Sequence, residues 1–245
     1  MELSKNFWGT LAVSIAVVWA AYNLGNAYKD KNRVNDTVEV TGLGTQDFTS
    51  DLIVWSGSFS RQEMDLQSAN AQLIKDRKYI KKYLSDQGIP EEEMVFNAIN
   101  ISKQFEYIYD EEGNSHREFA GYLLSQTVKV ESQEVDKVEK VAREVTDLIN
   151  AGIEFNSYSP SYYYTGLEEL KIEMIASATQ NGRERAEKIA ENSGATLGGL
   201  KSADMGLFHI LGRNQNESYS WGGTFNTSSK YKTARVTMHL SFNID

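Results

Sequence analysis

The sequence predicts an α+β fold in which helices pack on a mixed, mainly antiparallel sheet, preceded by one transmembrane helix. A run without charged residues extends from Asn6 to Tyr28. Segments 66–84 and 135–149 repeat apolar residues at helical spacing, and segment 234–242 alternates apolar and polar residues as a half-buried strand does. Strand pairs that alternate with helices in this order are expected to form a sheet with helices on one face.

The uncharged run is long enough to span a bilayer. About 23 helical residues, rising about 1.5 Å each, cover a hydrocarbon core of about 30 Å. Trp8 and Trp19 lie near its ends, where interfacial aromatic residues are expected. We therefore expect residues 1–28 to be a membrane anchor, with the transmembrane helix at about 7–25 and a linker at 29–36. A cleaved signal peptide is the alternative, because Gly25–Ala27 matches a small-x-small cleavage site.

Composition argues against several classes of function. The net charge of -9, with no run of five basic residues, is the opposite of what a nucleic-acid binder needs. The absence of cysteine excludes disulfides, thiol nucleophiles and thiolate metal sites. His116, His209 and His239 are isolated, and no nucleotide-binding, hydrolase or metalloprotease motif occurs. We therefore expect no catalytic, cofactor or metal site, and a protein that is not an enzyme.

Residues 37–245 are expected to form one domain, which begins with two strands and a helix. The first strand, 37–41, is expected to end in a turn at Gly42 and Gly44. The second strand covers about 52–60. The helix is expected to begin after an Asp65 N-cap and to end at Gly88. Its apolar stripe consists of Leu66, Ala69, Leu73, Ile80 and Leu84.

The second half continues with strands and helices in alternation. Two long strands, 95–109 and 116–130, are joined by a charged hairpin turn at 110–114. Ser132 is expected to cap a helix with the apolar stripe Val135, Val138, Ala142, Val145 and Ile149. A strand near 153–164 then precedes a long helix that opens with a capping box at Thr165–Glu168. The final strands cover 200–210 and 234–242, and the buried face of the last one comprises Ala234, Val236, Met238, Leu240 and Phe242.

A polar loop from 212 to 229 carries three large aromatic residues, Tyr219, Trp221 and Phe225. A solvated loop has little reason to carry such side chains, and exposed aromatic residues are enriched at protein interfaces. These three residues are therefore the candidate contacts with another subunit or partner. The hairpin around residues 110–114 is a second candidate.

Four motifs in order resemble the SIMPL-domain family. They are Val40–Gly44 followed by Asp51–Val54, Leu84–Ile89, the pair Gly121–Tyr122, and Ala176–Ala190 leading into Ser193–Gly198. The last stretch is similar to the family's alanine- and arginine-rich helix signature, but departs from it at Thr179–Gly182. In this helix we expect the small residues Ala178, Ala186 and Ala190 to pack closely against the sheet.

The resemblance implies a location and a mode of action, but no catalytic residues. Bacterial members are mostly exported to the periplasm or attached to the membrane, and they tend to form oligomers. The charges flanking the anchor, Lys5 before it against Lys29, Lys31 and Arg33 after it, favour instead a cytoplasmic domain. The expected function is a membrane-anchored, extracytoplasmic homo-oligomeric scaffold, ring- or cage-like, in the cell envelope. The alternative is a periplasmic module that binds a peptide or small ligand in envelope stress.

Overall fold

The computed structural model describes residues 5–33, 37–109, 114–214 and 224–244. Its helices and strands follow in the order α1 (Lys5–Arg33), β1 (Thr37–Thr49), β2 (Leu52–Glu63), α2 (Leu66–Asp86), β3 (Met94–Phe96), β4 (Asn100–Tyr109), β5 (Ser115–Ser132), α3 (Val135–Glu144), α4 (Asp147–Asn150), β6 (Phe155–Ser157), β7 (Ser161–Tyr163), α5 (Leu167–Ser193), β8 (Leu197–Gly212) and β9 (Tyr231–Ile244). The α+β class is confirmed. Strands β1, β9 and β8 form one sheet in that order, and β3, β5, β2 and β6 form the spine of a second.

The chain divides into two compact units. The first comprises the described residues of Met1–Gln46, Glu168–His209 and Arg235–Asp245, and the second those of Asp47–Leu167 and Ile210–Ala234. Each unit draws on several separate stretches of the chain. The long strands β1, β8 and β9 each run from one unit into the other, so the boundary falls within strands.

Helix α1 has the length and composition of a membrane span. Its window Leu11–Tyr28 has a mean hydropathy of 1.2, and none of that window is buried within the protein. The helix continues to Arg33, through most of the stretch expected to be a linker. No proline or glycine interrupts residues 26–33, and lysine and arginine are good helix formers, so nothing local ends the helix sooner.

In the first unit, α5 packs closely on β1 and β9 through small residues. Ala178, Ala186 and Ala190 are buried, as predicted. A methyl group added at Gly42 would lie 1.9 Å from the Ala178 carbonyl oxygen. The expected turn at Gly42 and Gly44 was wrong, because β1 runs straight through both residues to Thr49. The glycines do not end the strand; they make room for the helix backbone.

In the second unit, α2 and α3 cover the sheet formed by β2 and β5. The core residues Ile53, Trp55 and Phe59 of β2 are buried, as are all the predicted stripe positions of α2 except Leu66. Asp65 caps α2 as predicted, accepting a hydrogen bond of 2.8 Å from the Ser68 amide. The predicted stripe of the next helix was wrong at its end. Its chain divides into α3 and α4, so that Val141 and Leu148 are buried while Ile149 is 59% exposed.

The predicted strand 95–109 is divided into β3 and β4. Phe96 faces Val128, whereas Asn100 faces Ser125. The three residues between Phe96 and Asn100 therefore lie opposite the two residues between Ser125 and Val128. The Gln126 side-chain amide donates a hydrogen bond of 2.6 Å to the Asn97 backbone carbonyl within this interruption. One extra residue between the two ladders therefore bends the chain, as a β-bulge does.

Candidate interaction surface

Strands β4 and β5 form a two-stranded ribbon that extends beyond their sheet. The ladder between β2 and β5 ends where Glu63 faces Tyr122. The ladder between β4 and β5 continues from there to the pair Tyr109 and Ser115. Among the described residues, β4 is thus the only strand beside 115–121 of β5. A two-stranded ribbon is marginally stable in water, so its side chains must stabilise it.

A bulge bends the ribbon where it leaves the sheet. Gln104 faces Gly121 and Phe105 faces Phe119, which leaves Ala120 as an extra residue in β5. Gly121 has φ +110°, and a methyl group there would lie 2.6 Å from the Glu63 carbonyl oxygen. Only glycine fits this position without strain. The Gly121–Tyr122 motif therefore marks the base of the ribbon.

An aromatic cluster stabilises one face of the ribbon. The rings of Phe105 and Phe119 meet edge to face with centroids 5.8 Å apart, and those of Phe119 and Tyr122 do so at 5.2 Å. The Arg117 guanidinium lies 4.0 Å from the centre of the Phe105 ring. Each such aromatic or cation–π contact contributes about 0.5–1.5 kcal/mol. The cluster holds the two strands together where the core no longer does.

The edge strand β4 exposes many large apolar side chains. Half of its residues are large apolar side chains in contact with solvent: Ile101 (54% exposed), Phe105 (38%), Tyr107 (65%), Ile108 (41%) and Tyr109 (71%). Edge strands are usually protected by proline, bulges or several charges. Strand β4 has no proline and only Lys103 and Glu106 as charges. Its edge is therefore suited to pairing with another strand.

The predicted contact residues of the 212–229 loop are placed only in part. Tyr219 and Trp221 lie outside the described residues, as do residues 110–113 of the predicted hairpin turn. Phe225 is described and 48% exposed. Its backbone pairs with Ile210, whose amide donates to the Thr224 carbonyl at 2.7 Å and whose carbonyl accepts from the Asn226 amide at 2.9 Å. This end of the loop is therefore fixed, with the Phe225 side chain towards solvent.

A buried lysine fixes the same end of the loop. Lys232 is 1% exposed, and its ammonium donates to the Tyr162 carbonyl at 3.0 Å and to the Asn226 carbonyl. Lys232 is not among the residues predicted from the sequence. The available signal was that Lys232 shares the face of Ala234 and Val236 in the alternation of β9, which places a cation on an apolar face.

A charged network surrounds this lysine. The Tyr162 hydroxyl donates to a Glu139 carboxylate oxygen at 2.7 Å, and Lys230 forms ion pairs with Glu139 and Asp136. Burial, together with the bond to Glu139, raises the pKa of Tyr162 to about 12. Burial lowers the pKa of Lys230, but its bonds to Asp136 and Glu139 outweigh this, so the net shift is upward. The network joins α3 to the loop and is suited to a structural role.

The described residues hold no cluster suited to a metal ion, and two depressions on their surface are open to solvent. Within them, no group of three His, Asp or Glu side chains is arranged to hold a metal ion. His239 is exposed, with Nδ1 3.1 Å from the Thr41 hydroxyl. Two depressions of about 550 and 580 Å³ are open to solvent, one beside Arg213 and the other beside Arg185.

Comparison with known proteins identifies one family. The family model described as "SIMPL: Protein of unknown function (DUF541)" matches residues 38–240. This range runs from β1 to β9 and covers the second compact unit and much of the first. No curated protein matches the chain significantly.

Proposed function

The chain belongs to the SIMPL family, and from this premise we propose that it is a membrane-anchored homo-oligomeric scaffold. Its SIMPL domains associate side by side, in a ring or cage, on the extracytoplasmic face of the membrane in the cell envelope. The observation that carries the proposal is the apolar edge of the β4–β5 ribbon. The apolar helix α1 supports the membrane attachment.

The exposed side chains of β4 provide a driving force of suitable size. Their exposed apolar surface is roughly 400 Å², and burying half of it would stabilise a complex by about 5 kcal/mol per copy at about 25 cal/mol per Å². Association costs about 4–15 kcal/mol in lost motional freedom. One such contact in solution would therefore be weak.

Anchoring makes such a weak contact sufficient. A helix such as α1 confines every copy to the same plane, which raises the effective concentration of one domain around another. A closed ring also uses two contacts per copy, so that modest interfaces add up. The membrane is thus the first partner of the chain, and further copies of the chain are the second.

The side of the membrane rests on the family resemblance. SIMPL proteins of bacteria are mostly exported, whereas the basic residues after α1 favour a cytoplasmic domain. We propose the extracytoplasmic side, and protease treatment of intact cells and spheroplasts tests it. Digestion of the domain in spheroplasts, with a cytoplasmic marker intact, is expected. Protection until the membrane is lysed would contradict the proposal.

A pair of substitutions tests the role of the ribbon. Tyr107→Ser with Tyr109→Ser removes two exposed rings that no core residue covers, so we expect a lower oligomer mass and an unchanged circular dichroism spectrum. The matched control is Tyr79→Ser, since Tyr79 is 50% exposed on α2 and outside the ribbon. Equal masses for both variants and the wild type would show that the ribbon tip is not at a subunit boundary.

The 212–229 loop has its own test. Replacing Tyr219, Trp221 and Phe225 together by Ser is expected to lower the oligomer mass if this loop also meets a neighbour. The ligand-binding alternative predicts that neither set of substitutions changes a mass that is already monomeric.

A further inference from the structure

We propose that β4 pairs antiparallel with β4 of a second copy of this chain, about a two-fold axis through Phe105. The two ribbons would then form one continuous four-stranded sheet. This inference rests on the proposed function and specifies one of the two contacts per copy that a ring requires. Because a two-fold contact uses the same edge of both copies, a second surface must supply the other contact.

The first argument is the state of the β4 edge. Ten residues, Asn100–Tyr109, pair with β5 on one side. On the other side no strand of the described residues pairs with them, because β3 pairs with β5 further along, at 128–130. Within the part of the chain that the structure describes, this edge therefore offers its backbone groups to an incoming strand. Such strand addition derives its affinity from main-chain hydrogen bonds and its specificity from alternate side chains.

The second argument is the charge pattern of β4, which suits a copy of itself. A two-fold axis perpendicular to the sheet places each residue opposite a residue of the same face. With the axis at Phe105, Lys103 of each copy meets Tyr107 of the other, and Gln104 meets Glu106. A lysine opposite a tyrosine ring is a favourable cation–π pair, and no like charges face each other.

Other registers fit less well. An axis at Lys103 places two ammonium groups opposite each other, and an axis at Glu106 does the same with two carboxylates, which is destabilising. An axis at Gln104 leaves Tyr109 opposite Ile99, which lies outside the strand. An axis at Tyr107 keeps the exposed rings within the ladder but leaves residues 100–104 opposite 110–114, beyond β4. The axis at Phe105 places Ile101 opposite Tyr109, so that residues 101–109 all lie within the ladder.

The third argument is the aromatic cluster behind Phe105. This ring already contacts Phe119 and lies under the Arg117 guanidinium. Pairing at Phe105 would therefore join two preformed clusters into one continuous apolar strip across the two-fold axis. A preformed cluster loses little side-chain freedom on binding, which favours association.

Cysteine scanning tests the register directly, because the chain contains no cysteine. Full-length variants Lys103→Cys, Gln104→Cys, Phe105→Cys and Glu106→Cys are oxidised in membranes and separated on non-reducing gels. Residues directly opposite have Cβ atoms about 4.5–5.5 Å apart, within reach of a disulfide after small adjustment. We expect disulfide dimers several-fold more abundant for Phe105→Cys than for the other three variants.

A second measurement guards against a folding defect at Phe105. Co-expression of Lys103→Cys and Tyr107→Cys copies leaves Phe105 intact and is expected to give a mixed disulfide dimer. A maximum at Gln104 or Glu106, or equal cross-linking at all four positions, would overturn the inference. If wild-type protein is oligomeric yet neither experiment gives the expected dimer, β4 pairing is wrong while the scaffold stands. A monomeric wild-type protein would overturn both.

Discussion

Replacing Gly42 by alanine tests the close packing of α5 on β1. The added methyl carbon would lie 1.9 Å from the Ala178 carbonyl oxygen and 2.7 Å from the Gly182 amide nitrogen. Both are backbone atoms of a long helix and cannot rotate away, so α5 must move by roughly 1 Å. A gap of that size forfeits about a quarter to a half of the dispersion energy of the facing atoms.

The expected loss of stability follows from two opposing effects. Overpacking of this kind costs about 1–3 kcal/mol, and more where backbone is struck. Alanine recovers about 0.4–1 kcal/mol by restricting the unfolded chain. We therefore expect Gly42→Ala to lower the free energy of unfolding by about 2 kcal/mol, which corresponds to a fall in Tm of about 4–8 °C. Thermal melting of the detergent-solubilised protein, followed by circular dichroism, measures it.

Two further glycines provide a graded control. A methyl group at Gly199 in β8 meets no atom within 4 Å, so Gly199→Ala should change stability by no more than about 0.5 kcal/mol. At Gly182 the nearest atom is the flexible Leu240 Cδ1, at 2.5 Å, and alanine also favours the helix by about 1 kcal/mol. The loss should be intermediate. If Gly42→Ala and Gly199→Ala have the same Tm, α5 does not lie against β1 as described.

Three other predictions concern the ion pair, the buried tyrosine and the anchor. Arg61→Met removes the partner of Asp76, which is 4% exposed and is bonded to Arg61 through both carboxylate oxygens. Urea unfolding should therefore show that the free energy of unfolding falls by about 3 kcal/mol. No loss would mean that the pair is solvated. The pKa of Tyr162 is raised above its ordinary value of 10.0, so its contribution to stability is complete below pH 10 and disappears as pH rises towards about 12. Burial also raises the pKa of Tyr83, so the test is the difference between two absorbance titrations at alkaline pH. Tyr162→Phe should remove one late-ionising phenol from the curve, and an unchanged curve would contradict this. The full-length protein should stay in carbonate-washed membranes while a chain beginning at Asp36 is soluble and folded; soluble native protein starting after Ala27 would identify a cleaved signal peptide instead.

Local sequence patterns correctly predicted the helices and strands that bury one face. The alternation of β9 and the stripe of α2 were confirmed because burial on one face produces a period that a single segment displays. The end of β1 was predicted wrongly at Gly42, because a glycine that admits a distant helix resembles a glycine that ends a strand. The division of α3 from α4 was missed because no glycine or proline marks it.

The candidate surface could be predicted only in outline. Aromatic residues and a long hairpin were visible in the sequence, but the length of the two-stranded ribbon depends on how far β2 accompanies β5. That ladder ends at Glu63 and Tyr122, which are far apart in the chain. The Arg61–Asp76 pair likewise depends on packing between elements, which periodicity does not encode. The alternation of β9 does place Lys232 on the buried face, but its carbonyl partners lie on other segments of the chain.

The mass of the full-length protein tests the scaffold most directly. Sedimentation or light scattering in mild detergent, with the anchor present and at micromolar concentration, gives the number of copies per particle. The account predicts a discrete oligomer whose mass persists on modest dilution and falls when Tyr107 and Tyr109 are replaced by Ser. A wild-type protein that is monomeric under these conditions would contradict the scaffold and favour a ligand-binding module.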